Sequence, residues 1–102
     1  MKKLKYSEIR YLKKLAHGLK PVVQIGKRGL TESVLESIDR ALDDHELIKI
    51  KFVDFKQEKK EISGVIVEKN GCIMVGMIGN VVTIYREHPD EARRKISFHT
   101  AQ

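Results

Sequence analysis

Gly26-Lys27-Arg28-Gly29 sets two cations between two glycines, directly after Val22, Val23 and Ile25 and just before Thr31-Glu32. Residues of these types in this order suit a phosphate. Glycines allow positive φ and leave no Cβ between backbone N–H groups and a ligand. A helix that starts beyond them adds unpaired N–H donors and the positive end of its dipole. Lys27 and Arg28 supply full charges, and a guanidinium can hold two phosphate oxygens at once. Paired glycines also mark ordinary turns; the strand before and the capped helix after are what favour a phosphate loop.

A second set of cations lies upstream. Ile9, Leu12, Leu15, Ala16 and Leu19 follow helical spacing, and Arg10, Lys13, Lys14 and His17 fall on the other side. Arg10 and Lys14, four apart, repel each other by a few tenths of a kcal/mol in an isolated helix, roughly. A face that tolerates this suits an anion, although a solvated lysine face has the same pattern. Lys20 follows, and Lys49 and Lys51 alternate with apolar residues in "LIKIKF". KH modules clamp a nucleic-acid backbone with a GxxG loop, so loop and helix together point to a polyanion.

Other chemistry has little footing. Asp43, Asp44, His45 and Glu46 could form an acid/base or metal cluster, but no second His or Cys stands at ligand spacing. Ser33 and Cys72 have no base placed beside them by any motif. The GxxxxGK[ST] spacing of nucleoside triphosphate hydrolysis is absent. His17 belongs with the basic face, and His88 and His99 fall near or in the C-terminal tail. Tyr6, Tyr11 and Tyr85 could stack on bases or pack internally. Met74 and Met77 read as strand or core residues. We therefore expect no catalytic residue, no metal and no cofactor.

The elements that must position these groups can be read in order. Ser7 is the expected cap of a first helix, with Glu8 in its first turn and Gly18 as its stop. Pro21 holds Lys20 extended. Val22, Val23 and Ile25 form a short strand that Gly26 ends. Thr31 caps a second helix, in which Val34, Leu35, Ile38, Ala41 and Leu42 make the core stripe to about His45. Ile48, Ile50 and Phe52 face one side of the next strand, Lys49 and Lys51 the other. Residues 56–78 permit two readings. Asn70-Gly71 after "VIVEK" is a strong hairpin signal, pairing 64–69 with 72–78. Alternatively "KQEKKE" opens a helix over 56–69, with Ile62, Val65 and Ile66 at i, i+3 and i+4 and Asn70-Gly71 as its C-cap. In either case Cys72–Met77 and Val81–Tyr85 form a hairpin about Gly79-Asn80. The polar tail from Glu87, residues 87–102, is expected to be loosely held.

The totals agree with one folded domain. At 102 residues, 41% apolar and 33% charged, the chain can bury one core. No apolar run approaches the roughly 18 residues of a membrane span. The basic N-terminus lacks the apolar stretch of a signal peptide, and the lone Cys72 makes no internal disulfide; both fit a reducing cytoplasm. The net charge of +6 is unevenly spread. Residues 1–30 hold nine Lys/Arg against Glu8 alone, and residues 31–46 hold six acids against Arg40 alone. A basic face for a polyanion and an acidic helix turned elsewhere would produce this division.

"YLKKLAHGLKPVVQIGKRGLTESVLESIDRALDDHELIKIKF" and the closing "MIGNVVTIYR" carry a family likeness. Over residues 6–86 the chain resembles the CRM domain, named for chloroplast RNA splicing and ribosome maturation, whose bacterial stand-alone members are the YhbY-type proteins. Asn80 and Ile84 stand where relatives often have His and Leu, away from the loop. The resemblance implies an α/β fold (two-layer α+β), ordered α-β-α-β-α-β-β with a four-stranded mixed sheet. This is similar to the C-terminal domain of translation initiation factor 3 and to KH domains. It implies the helix rather than the hairpin for 56–69. It also implies RNA binding, in bacteria to ribosomal RNA in precursors of the large (50S) subunit, and it places the family's loop at Gly26, Lys27, Arg28 and Gly29. Arg10, Lys13, Lys14 and Lys20 are added to the site from charge and spacing.

The expectation is a non-catalytic RNA-binding domain at 1–86, with no small-molecule substrate and no membrane partner. Gly29→Asp is expected to weaken binding without unfolding the chain. The competing expectation is a module that docks on a ribosomal or other protein through its acidic helix, 32–46.

Overall fold

The structure, a computed structural model, describes residues 3–98; His99 lies outside the described residues. Helix α1 (Tyr6–Ala16) is followed by strand β1 (Val23–Ile25), helix α2 (Glu32–His45) and strand β2 (Leu47–Phe52). A 3-10 turn, Lys56–Glu58, leads into helix α3 (Lys59–Asn70), and strands β3 (Ile73–Ile78) and β4 (Val81–Tyr85) close the sheet. The sheet order is β1-β2-β4-β3, with β1 and β2 parallel and the other pairs antiparallel. A parallel pair cannot close through a tight turn, and α2 provides the crossover.

Strand alternation divides the core in two. Ile48, Ile50 and Phe52 of β2, with Val82 and Ile84 of β4, pack with Ile38 and Leu42 of α2 and Ile66 of α3. Leu47 and Tyr85 point to the other face, where Leu12 and Ala16 of α1 cover them together with Val75. α1 thus lies across the sheet from α2 and α3.

Residues 56–70 form a helix, not a hairpin strand. Gly71 stops it in the left-handed region, φ 59°, which glycine enters at little cost, and its N–H donates to Val67 O. The local pattern was ambiguous because Asn-Gly serves a hairpin turn and a helix stop alike. A long-range contact decides between them. The Asn70 amide is drawn into the fold, donating to Leu35 O (3.1 Å) and Asp39 Oδ1 (2.8 Å). Arg86 adds bonds to Asn70 O, to Asp39 and to Asp43, tying the end of β4 to α2 and α3. The Asn70 amide, and then Arg86, hold the Asp39 carboxyl below its ordinary 3.8. That contribution is present above this value and fades as the pH falls through the depressed one.

Two expectations are corrected. The first helix starts at Tyr6, one residue before the expected cap Ser7, because Glu8 reaches back to accept the Lys5 N–H (2.8 Å). The second concerns the tail, which is held rather than loose through residue 98. The Glu46 carboxylate is fully buried and accepts the N–H groups of His88 (2.8 Å), Lys95 (2.7 Å) and Ile96 (3.0 Å). Ile96 and Phe98 pack on the α1 side, and the Phe98 ring meets Tyr85 and Tyr11 edge-on at 5.9 and 6.2 Å. Composition marked this segment as polar, but two apolar residues and a buried acid far away in sequence are enough to dock it.

Candidate nucleic-acid interface

β1 is only three residues long, and Ile25 O at its end accepts the N–H groups of both Val53 (3.0 Å) and Asp54 (3.1 Å). The exit of β1 is thereby fixed to the exit of β2. The next four residues make a tight turn closed by Gly29 N–H donating to Gly26 O at 2.9 Å. Lys27 and Arg28 are its corners, and both side chains are exposed. Leu30 packs on the core, and Thr31 Oγ1 accepts the Val34 N–H (3.2 Å), which starts α2. Loop, cations and helix N-terminus are thus assembled at one end of the sheet, an arrangement suited to an anion.

The two glycines have different tasks. Gly26 has open space where a Cβ would stand and no positive φ. Gly29 has φ 69°, and a Cβ there would come within 3.3 Å of Phe55 Cε2. Substitution at Gly29 therefore strains the backbone and presses on a neighbouring ring. Contrary to the sequence expectation, Gly29→Asp affects the fold as well as any ligand. Gly26 is the glycine at which ligand approach can be tested apart from folding.

Lys13, Lys49 and Lys51 lie on the face that α1 only partly covers. The pairing Lys49↔Thr83 lies one step beyond the covered Leu47↔Tyr85, and Lys51↔Val81 lies beyond that, level with the loop. Gln24 of β1 pairs with Lys51 in parallel register, and both are exposed. Lys13 and His17 of α1 meet Lys49, Gly76 and Thr83 in a cleft of about 140 Å³. Lys49 Nζ also donates to Leu19 O (3.1 Å) and so braces the chain between α1 and β1. Lys13 is thus brought to Lys49 of the sheet. Lys14 is exposed, and the Arg10 guanidinium lies 5.5 Å from the centre of the exposed Tyr6 ring. Lys20 is placed elsewhere, in a groove of about 520 Å³ with Leu15, Leu19, Val22, His45 and Lys95.

The acids around His45 diverge. Asp43 pairs with Arg86 (3.0 Å), Glu46 turns inward to the tail, and His45 is exposed. Among the described residues no three His, Cys, Asp or Glu side chains are grouped to hold a metal ion. Burial pushes the Cys72 thiol up to about 11, which keeps it protonated and a poor nucleophile at neutral pH. Nothing in the sequence signals the parts played by Glu46, Arg86 and Phe55. An isolated aromatic in "VDFKQE" has no spacing that could have signalled Phe55.

Residues 4–86 match the model of the CRS1 / YhbY (CRM) domain. The chain belongs to the CRM domain family. A Haemophilus influenzae protein named "RNA-binding protein" is 42% identical to this CRM domain over 87 residues, covering 84% of this chain and 88% of its own. A Bacillus subtilis protein named "Probable RNA-binding protein YqeI" is 32% identical, covering 76% of this chain and 82% of its own. The solution structure of a hypothetical Staphylococcus aureus protein, described as a candidate RNA-binding protein, superposes on this CRM domain with a TM-score of 0.75. It is 34% identical, and the match covers 93% of this chain and all of that one.

Proposed function

We propose that this protein is a non-catalytic RNA-binding protein that binds ribosomal RNA in the cytoplasm and assists assembly of the large ribosomal subunit. The observation that carries the reading is the turn at Gly26–Gly29, which exposes Lys27 and Arg28 at the start of α2. Around it, Lys51, Lys49 and Lys13 continue the positive surface across the sheet, with Lys14 and Arg10 further along α1. A surface of this kind follows a sugar–phosphate backbone and binds with strong salt dependence. The names of the Haemophilus and Bacillus relatives agree with RNA as the partner. The ribosomal assignment rests on the family's link to large-subunit precursors.

Docking on a protein through α2 has less support, because Asp39 and Asp43 are already engaged by Arg86. Sedimentation of a cell extract separates the two. The protein is expected to travel with ribosomal particles and to be released by RNase. Association that survives complete RNA digestion would instead favour a protein partner.

A further inference from the structure

Phe55 is an anomaly beside the loop. It adopts φ 56° and ψ 36°, a left-handed conformation that is a genuine outlier for a bulky residue. Such outliers persist where the surroundings hold them, and they concentrate at ligand sites. Core packing does not account for the ring, since Phe55 belongs to neither hydrophobic cluster and 40% of the residue is exposed. Part of the ring rests on Gly29, whose missing Cβ leaves it room. The rest borders an open depression of about 330 Å³ lined by Lys27, Asp54, Phe55 and Glu58.

The lining discriminates between the parts of a nucleotide. Two carboxylates repel a phosphate, so the depression does not suit the backbone itself. An ionised carboxylate only accepts hydrogen bonds, so it suits a base edge that donates. Cytosine, adenine and guanine each present an exocyclic amino group, whereas uracil offers a single N3–H between two carbonyl oxygens. An aromatic ring offers a stacking surface to any base. Lys27 lines the depression and is also a corner of the turn, so a phosphate held by its ammonium leaves the attached base next to Phe55.

We propose that Phe55 is the stacking platform for one unpaired nucleobase beside the Gly26–Gly29 turn, and that Asp54 and Glu58 select a base with an exocyclic amino group over uracil there. The proposal rests on the RNA-binding reading and deepens it.

Fluorescence anisotropy with short labelled oligo(C), oligo(A) and oligo(U) tests it. Wild type binds oligo(C) and oligo(A) more tightly than oligo(U). Phe55→Leu keeps an apolar contact with Gly29 and loses the ring. It weakens oligo(C) binding about fivefold or more with an unchanged salt slope, whereas Phe55→Tyr stays within about twofold of wild type. Phe55→Met serves as a second ring-free variant if leucine lowers the melting temperature. Asp54→Ala narrows the preference for oligo(C) over oligo(U). Full affinity in the folded ring-free variants, or a wild-type preference for oligo(U), would overturn the proposal. A flattened salt slope in Lys27→Ala/Arg28→Ala alongside a neutral Phe55→Leu would remove the stacking platform and leave the RNA-binding loop standing. Neutrality of both would remove the loop as well.

Discussion

Replacing Lys27 and Arg28 together by Ala is expected to flatten the log–log salt dependence of RNA affinity by about 1.4, the value for two single-strand phosphates released from contact. The same relation puts the loss at 0.1 M salt near 25-fold, and about 1.4 decades less at 1 M, where counterions already screen the contact. Folding should be spared. Both side chains are exposed and take part in none of the described ion pairs, so the stability change stays within about 0.5 kcal/mol. Binding isotherms over a salt series, with melting curves on the same samples, check both halves. An unchanged slope in the folded double variant would remove the loop from the interface.

The largest expected stability effect lies at the other end of the molecule. Glu46 is fully buried and accepts three backbone N–H groups from the C-terminal segment. Hydrogen bonds to a charged acceptor are each stronger than neutral ones, but the released segment recovers part of their energy from water. We expect Glu46→Ala to cost about 3 kcal/mol, which for a domain of this size lowers the melting temperature by about 12 °C or more. Ala keeps the unfavourable φ of 64° at this position, so the loss reports on the buried side chain and its hydrogen bonds rather than on backbone strain. Truncation after Arg86 removes the same bonds together with the Ile96 and Phe98 contacts. The two changes share partners and therefore should not add. Thermal melts of the single and combined variants measure this, and full additivity would mean that Glu46 does not act through the tail.

These two sites differ in how far the sequence announces them. The turn at Gly26–Gly29 is legible because its determinants are local: a β-branched strand, two glycines, two cations and a Thr cap lie within ten residues. The alternation of β2 is legible for the same reason. Glu46 is not, because its partners come 42 to 50 residues later and are backbone groups, which leave no trace in side-chain patterning. At the end of a helix it reads only as an acid opposing the dipole. Arg86 is hidden likewise, since Asp39, Asp43 and Asn70 gather around it only once α2, α3 and β4 have packed. The sequence pattern reads Gly29 only as a glycine that lets a ligand approach. Its φ and the nearby Phe55 ring make it part of the scaffold as well as of the approach to a ligand.

The most direct test of the account is ultraviolet crosslinking in growing cells, with the attached RNA sequenced and the modified peptides mapped by mass spectrometry. Large-subunit ribosomal RNA is expected joined to peptides that contain residues 24–29, with further adducts on α1 and β2 around Lys13 and Lys49. Adducts confined to α2, or a protein recovered without RNA, would contradict it.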